Sequence, residues 1–150
     1  MATFRSLMAS ELITILQNIA GIRQSLPTRF ELKPHERRSM FKLNTKRIDF
    51  VKKALNFMKR YPSTVPAYVD VQHCNTCMHL YEQYSEILEE LEKVKQQVED
   101  TKHMLGNEIM KQTKAYFHHS KNGMSAGNKE YAEVYKELKP DYAVGRNCAK

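Results

Sequence analysis

The residues with the clearest chemical potential lie in one short segment that contains two cysteines and two histidines. Its Cys-x-x-Cys spacing places two thiols about one helical turn apart, and histidine is another common ligand of zinc. A tetrahedral zinc site needs four such donors, but His73 and His79 are roughly 120° apart around a straight helix. A further donor such as Cys148 would be required, so we favour thiols that pack at a helix start over a metal or redox site. The candidate ligands are His73, Cys74, Cys77 and His79.

Patterns typical of enzymes are missing from the rest of the sequence. It contains no phosphate-binding glycine loop, no dinucleotide fingerprint, no nucleophile elbow and no H-E-x-x-H metalloprotease motif. Its acidic run, 82–92, lacks the Glu-x-x-His pairs that a di-iron site would need. We therefore predict a protein that is not an enzyme and that has no cofactor and no small-molecule substrate.

Length and composition limit the chain to one ordinary globular domain. It has 150 residues, of which 41% are hydrophobic and 27% charged, with only five glycines and five prolines. We predict a single helical domain over 1–140 and a C-terminal tail over 141–150. No apolar run is long enough to span a bilayer, and the N-terminal segment does not have the pattern of a signal peptide. Without a signal pattern the expected location is the cytoplasm, and three cysteines, an odd number, favour reduced thiols in such a chain.

Helical periodicity is the main structural signal in the first half of the chain. Apolar residues recur every three or four positions over about 10–25 and again over about 44–60, which predicts two amphipathic helices. Pro34, a residue suited to the first position of a helix, predicts one short helical turn between them. Proline at positions 62 and 66 then predicts an extended connection.

A long central helix is predicted over about 70–121, because Asp70 can cap its start and no proline interrupts it. Its apolar residues keep a nearly seven-residue phase through Gly106, so we favour a continuous helix over one that bends there. We predict that this seam joins copies of the protein, since it is longer than the rest of the chain can cover. A short helix over 129–138, ended by Pro140, completes an all-α helical bundle. The seam consists of Tyr84, Leu88, Leu91, Val98, Leu105 and Ile109.

Charge is distributed unevenly along the sequence. Residues 29–60 contain eleven Lys or Arg against three Asp or Glu, whereas 82–100 contain seven acids against two lysines. We favour pairing between these two segments, within a chain or between copies, and the alternative is a surface that binds nucleic acid or another polyanion. The phenylalanines at 30, 41, 50 and 57 are expected to serve the core rather than to stack on bases. The predicted pairing residues are Lys46, Arg47, Lys52, Lys53, Glu82, Glu86, Glu89 and Glu90.

Several segments resemble a group of small, uncharacterised bacterial proteins. Residues 32–38 resemble that group's L-T-P-E-E-R-R, and 46–55 resemble its D-K-S-R-x-F-V-x-K-A-L. Residues 98–101 and 106–108 resemble two shorter segments, in the same order, so that the similarity covers roughly 15–140. The resemblance implies an all-helical fold of bacterial origin and carries no activity. The function is predicted from other features: the long seam, the opposed charge segments and the missing active-site patterns indicate a structural or interaction protein that assembles with itself.

Overall fold

In a computed structural model, which describes residues 4–147, 80% of these residues are helical. The described residues contain no strand, so the predicted all-α class with one long central helix and a C-terminal helix is confirmed. None of the described helices combines the length and the apolar character needed to cross a membrane. Residues 4–147 form five α-helices, which are α1 (Ala9–Ser25), α2 (Pro34–Ser39), α3 (Thr45–Arg60), α4 (Val71–Ser125) and α5 (Lys129–Asn147).

The chain divides into two compact units, and the division falls inside α3, between Asn56 and Phe57. In the first unit, α1 and α2 bury none of their residues, and Leu55 is the one buried residue of α3. In the second unit, α4 and α5 pack against each other. The single domain over 1–140 stays a prediction.

The N-termini of the helices are held by the carboxylates that sequence chemistry favours there. The Asp70 carboxylate accepts a hydrogen bond of 2.8 Å from the backbone N–H of His73, which confirms Asp70 as the cap of α4. In α1, the Glu11 carboxylate accepts a bond of 2.7 Å from Arg5 and one of 2.8 Å from the Met8 N–H. Both hydrogen bonds lower the pKa of Glu11, and the bond from Arg5 has the larger effect.

The long helix α4 runs for 55 residues without a break at Gly106, as the apolar phase predicts. At about 1.5 Å per residue it is roughly 80 Å long. Gly106 is compatible with this because its helical cost of about 1 kcal/mol relative to alanine is small beside the sum of the neighbouring helical bonds.

The predicted end of this helix at residues 121–123 is wrong, because α4 continues to Ser125. Gly123 makes room for a neighbour instead of stopping the helix: a Cβ at this position would collide with the Tyr131 ring of α5. The chain reverses at Gly127, whose φ of +88° lies in the left-handed region that favours glycine. Asn128 then caps α5, since its Oδ1 accepts from the Glu130 N–H at 3.0 Å.

The predicted end of the last helix at Pro140 is also wrong, because α5 continues through this proline to Asn147. Proline removes one backbone donor and crowds the preceding turn. Packing compensates for this, since the Tyr142 ring, two residues beyond the proline, stacks on Phe117 of α4 with 4.3 Å between the ring centroids. Much of the predicted tail over 141–150 is thus helical, and 148–150 lie outside the described residues.

Candidate assembly face of the long helix

The six predicted seam residues lie along α4, and most of them are open to solvent. Tyr84 is half-buried, and the other five expose between 38% and 62% of their surface. A helix in water normally turns such side chains toward other parts of the protein. The apolar face of α4 is therefore open over much of its length. The five exposed members are Leu88, Leu91, Val98, Leu105 and Ile109.

The helix geometry refines the seam into a regular two-position repeat. Between residues 80 and 105, apolar residues and one threonine follow each other at alternating steps of four and three, which is the a/d pattern of a coiled coil. Leu88 and Ile109 lie on one flank of this pattern, at the e position of the heptad. The d positions are Leu80, Ile87, Val94 and Thr101, and the a positions are Tyr84, Leu91, Val98 and Leu105. These eight residues are called the ridge below.

The second helix of this unit, α5, packs on a different side of α4. Phe117 is 7% exposed and stacks on Tyr135 and Tyr142 of α5, with centroid distances of 5.2 and 4.3 Å. Its neighbour Tyr116, in phase with the ridge, is 52% exposed. At 100° per residue, Phe117 lies roughly 120° around the helix from Leu105. The α5 contact at Phe117 thus leaves the ridge, which ends at Leu105, uncovered.

Charged side chains beside the ridge make short-range pairs within α4. The Lys93 ammonium lies 2.7 Å from the Glu90 carboxylate and 3.1 Å from that of Glu89. Both contacts raise the pKa of Lys93, and the contact with Glu90 has the larger effect. Lys95 lies 3.3 Å from Glu92. All of these side chains are exposed, so solvent screens the pairs and each one stabilises the helix only weakly. The pairing of Glu82, Glu86, Glu89 and Glu90 with the basic residues of α3 stays a prediction.

The cysteine and histidine segment forms the first turns of α4. His73 Nε2 lies 3.6 Å from Cys77 Sγ, one helical turn away, while Cys74 is half-buried and His79 is exposed. Within residues 4–147, no three His, Cys, Asp or Glu side chains gather as a possible metal site. Cys148 lies outside the described residues. The metal or redox site therefore stays a prediction, supported by a single contact between two of its four candidates.

The four phenylalanines of the basic segment lie at the surface, although the sequence analysis predicts that they serve the core. All four are exposed, from 57% for Phe57 to 100% for Phe41, so the expectation of a core role is wrong. In α3 the buried side is formed by other residues, with Leu55 buried and Ile48 and Val51 half-buried. Phe50 lies on the opposite face, and the signal that could have shown this is its position roughly 200° around the helix from Ile48.

Comparisons of the chain with protein-family models, with curated proteins and with solved structures found no match. The resemblance to small bacterial proteins over 15–140 stays a prediction. Two surfaces have a chemical character of their own: the exposed ridge of α4 and the aromatic, basic face of α3. They support different functions, and the ridge is the more extensive of the two.

Proposed function

We propose that this protein is a non-catalytic structural or interaction protein of the cytoplasm, and that it assembles with copies of itself through the ridge of α4. The observation that carries the proposal is the exposure of a coiled-coil pattern. The ridge keeps its a/d spacing from Leu80 to Leu105, and six of its eight residues are exposed. A helix of this type is completed by an equivalent helix that fills its holes with matching side chains.

The energetic reason is the amount of apolar surface that α4 leaves in water. Burying one Val, Leu or Ile side chain contributes about 1.5–3 kcal/mol, so several of them supply enough free energy for a stable complex. The helix α1 supports the same conclusion, because its isoleucines and leucines are exposed and none of its residues is buried. Large exposed apolar surfaces mark sites of protein association.

Light scattering and sedimentation across a concentration series test this function. One chain has a mass of 17.6 kDa, and we expect an integral multiple of that mass at micromolar concentrations. High salt should leave the assembly intact, because it depends mainly on apolar burial, which salt does not screen. A particle of 17.6 kDa over the whole series would contradict the proposal.

A second candidate function, binding of single-stranded nucleic acid, is favoured by the exposed face of α3. Phe50 is 70% exposed, and Lys46 and Lys53 lie one turn before and after it on the same face. Bases can stack on such a ring while the ammonium groups contact phosphates. Lys46 and Lys53 are also two of the residues predicted for charge pairing. They lie on α3 and the ridge lies on α4, so nucleic-acid binding and self-assembly use different surfaces.

Fluorescence anisotropy with a labelled single-stranded oligonucleotide measures this second activity. We expect binding at low salt that weakens as salt rises, and a further loss of roughly 5- to 160-fold in Phe50→Ala, since stacking contributes about 1–3 kcal/mol per base. The matched control is Tyr116→Ala, which removes an exposed ring from α4 and should leave this binding unchanged. Absence of binding at low salt would exclude this candidate.

A further inference from the structure

The flanks of the ridge carry information about how two copies of α4 would be oriented. In a coiled coil the residues beside the a and d positions, called e and g, form the contacts that decide orientation and register. In the pattern of the ridge, the charged e residues are Lys95 and Lys102, and Glu90 is at g. All three are exposed on α4 and point along the edges of the ridge.

Parallel, in-register helices bring g of one copy beside the e residue five positions later in the other. This places Glu90 beside the partner's Lys95, and the symmetry of the assembly repeats that pair. One heptad further, Gln97 lies beside the partner's Lys102. At the next step Met104 meets the partner's Ile109, and both of these side chains are exposed in the single chain, by 53% and 62%.

Antiparallel helices give a different set of neighbours, because e then faces e and g faces g. With the ridges fully overlapped, Lys95 meets the partner's Leu88, and Glu90 meets the partner's Gln97. Sliding the copies by one heptad brings Lys95 opposite the partner's Lys95, which is repulsive. Neither alignment pairs a base with an acid.

We propose that copies of this protein assemble through α4 as parallel, in-register helices, with Glu90 of each copy beside the partner's Lys95. This inference rests on the proposed self-assembly and adds its geometry. The pairs that Glu90 and Lys95 make within α4, to Lys93 and Glu92, are compatible with it, since all four groups are at the surface and can share neighbours.

The surface that α5 covers agrees with this arrangement. Phe117 lies roughly 120° around the helix from Leu105, and the α5 contact at Gly123 lies beyond the end of the ridge, so α5 can follow its own copy of α4 beside a second α4. Parallel copies then place the α4–α5 turns, which include Gly127, at the same end of the assembly. The ridge ends at Leu105, before the stretch of α4 that α5 covers around Phe117.

Single cysteines in the ridge test the orientation directly. The background is the full chain with Cys74, Cys77 and Cys148 changed to serine, and the first probe is Val98→Cys. Identical a positions are neighbours only in parallel, in-register helices, so mild oxidation should link most Val98→Cys chains into covalent dimers. The second probe is a mixture of the Ile87→Cys and Val98→Cys chains, which carry tags of different length so that the mixed product can be recognised. This mixture detects antiparallel helices, because residues 87 and 98 are neighbours in that orientation.

The outcomes separate the orientation from the assembly itself. We expect Val98→Cys to form homodimers, with less than a tenth of the product as the mixed 87–98 disulfide. An assembly of normal mass that forms the mixed disulfide, or that gives no Val98→Cys homodimer, overturns the parallel arrangement and leaves the proposed self-assembly intact. A protein that sediments as a monomer and forms no disulfide overturns both. Gln96→Cys, on the far side of α4, is the control for random collision.

Discussion

We expect the double variant Val94→Glu/Val98→Glu to be monomeric at concentrations where the wild-type protein assembles, with an association weakened by at least about 100-fold. Each valine contributes about 1.5 kcal/mol or more when it is buried against a second copy, and 100-fold corresponds to about 2.7 kcal/mol. The introduced carboxylates add repulsion and a desolvation cost in the same place. Since glutamate is a good helix former, α4 itself should remain helical. Sedimentation equilibrium measures the association, and circular dichroism checks the helix.

The control for added charge is Gln96→Glu/Asn107→Glu, which introduces the same two carboxylates on the same helix. Both positions are exposed and lie roughly opposite the ridge, about 160–180° from Val98. The change removes a hydrogen bond of 2.8 Å from Gln96 to Asp100, which affects helix stability by a few tenths of a kcal/mol. This variant should assemble like the wild type. Equal association of the valine variant and this control would show that the ridge is not the contact surface.

The second large effect is expected at the α4–α5 contact, where Phe117→Ala should release α5. Phe117 is buried between Tyr135 and Tyr142, and truncating a buried phenylalanine to alanine costs about 3–5 kcal/mol. Because α5 is attached to α4 only through this side and the turn, losing the contact exposes its backbone. Hydrogen exchange should then be fast throughout residues 129–147 and unchanged in the middle of α4.

Three further variants show whether this effect is specific. Gly123→Ala should weaken the same contact, since the added Cβ collides with Tyr131, whereas Gly106→Ala meets no atom within 4 Å and should stabilise α4 by up to about 1 kcal/mol. Tyr116→Ala removes an exposed ring beside Phe117 and should leave exchange in α5 unchanged. If α5 stays protected in both Phe117→Ala and Gly123→Ala, the contact is not what holds it.

Local signals were sufficient to predict much of the fold. Asp70 was identified as a cap because a carboxylate before an apolar run satisfies free N–H groups, and it accepts from His73 as expected. The continuity of α4 through Gly106 followed from the apolar phase on both sides of it, which outweighs the modest propensity of one glycine. The exposed seam also followed from local pattern, since its length exceeds what the other helices can cover.

Tertiary contacts explain the features that sequence reasoning missed. Glycine and proline are typical of helix ends, but Gly123 accommodates Tyr131, and stacking of Tyr142 on Phe117 stabilises α5 beyond Pro140. Both effects depend on residues far away in the sequence, so no local rule could show them. The exposed phenylalanines have a different explanation. A phenylalanine is usually expected in the core because it is apolar, but the angular position of Phe50 places it on the exposed side of α3. Composition alone does not show whether a phenylalanine is exposed.

The α4–α5 hairpin is fastened differently at its two ends. Near the turn, small side chains let the backbones come close: Ser120 is fully buried, with its hydroxyl donating to the Tyr116 carbonyl at 3.0 Å, and Gly123 lies under the Tyr131 ring. Near the C-terminal end of α5, the contact between the two helices depends on the Tyr142 ring. This residue follows closely after Pro140, which cannot donate a backbone hydrogen bond. We therefore expect α5 to separate from α4 first at its C-terminal end, so that Phe117 becomes exposed before Ser120. A protease or a competing peptide would therefore gain access to the C-terminal part of α5 before it reaches the turn.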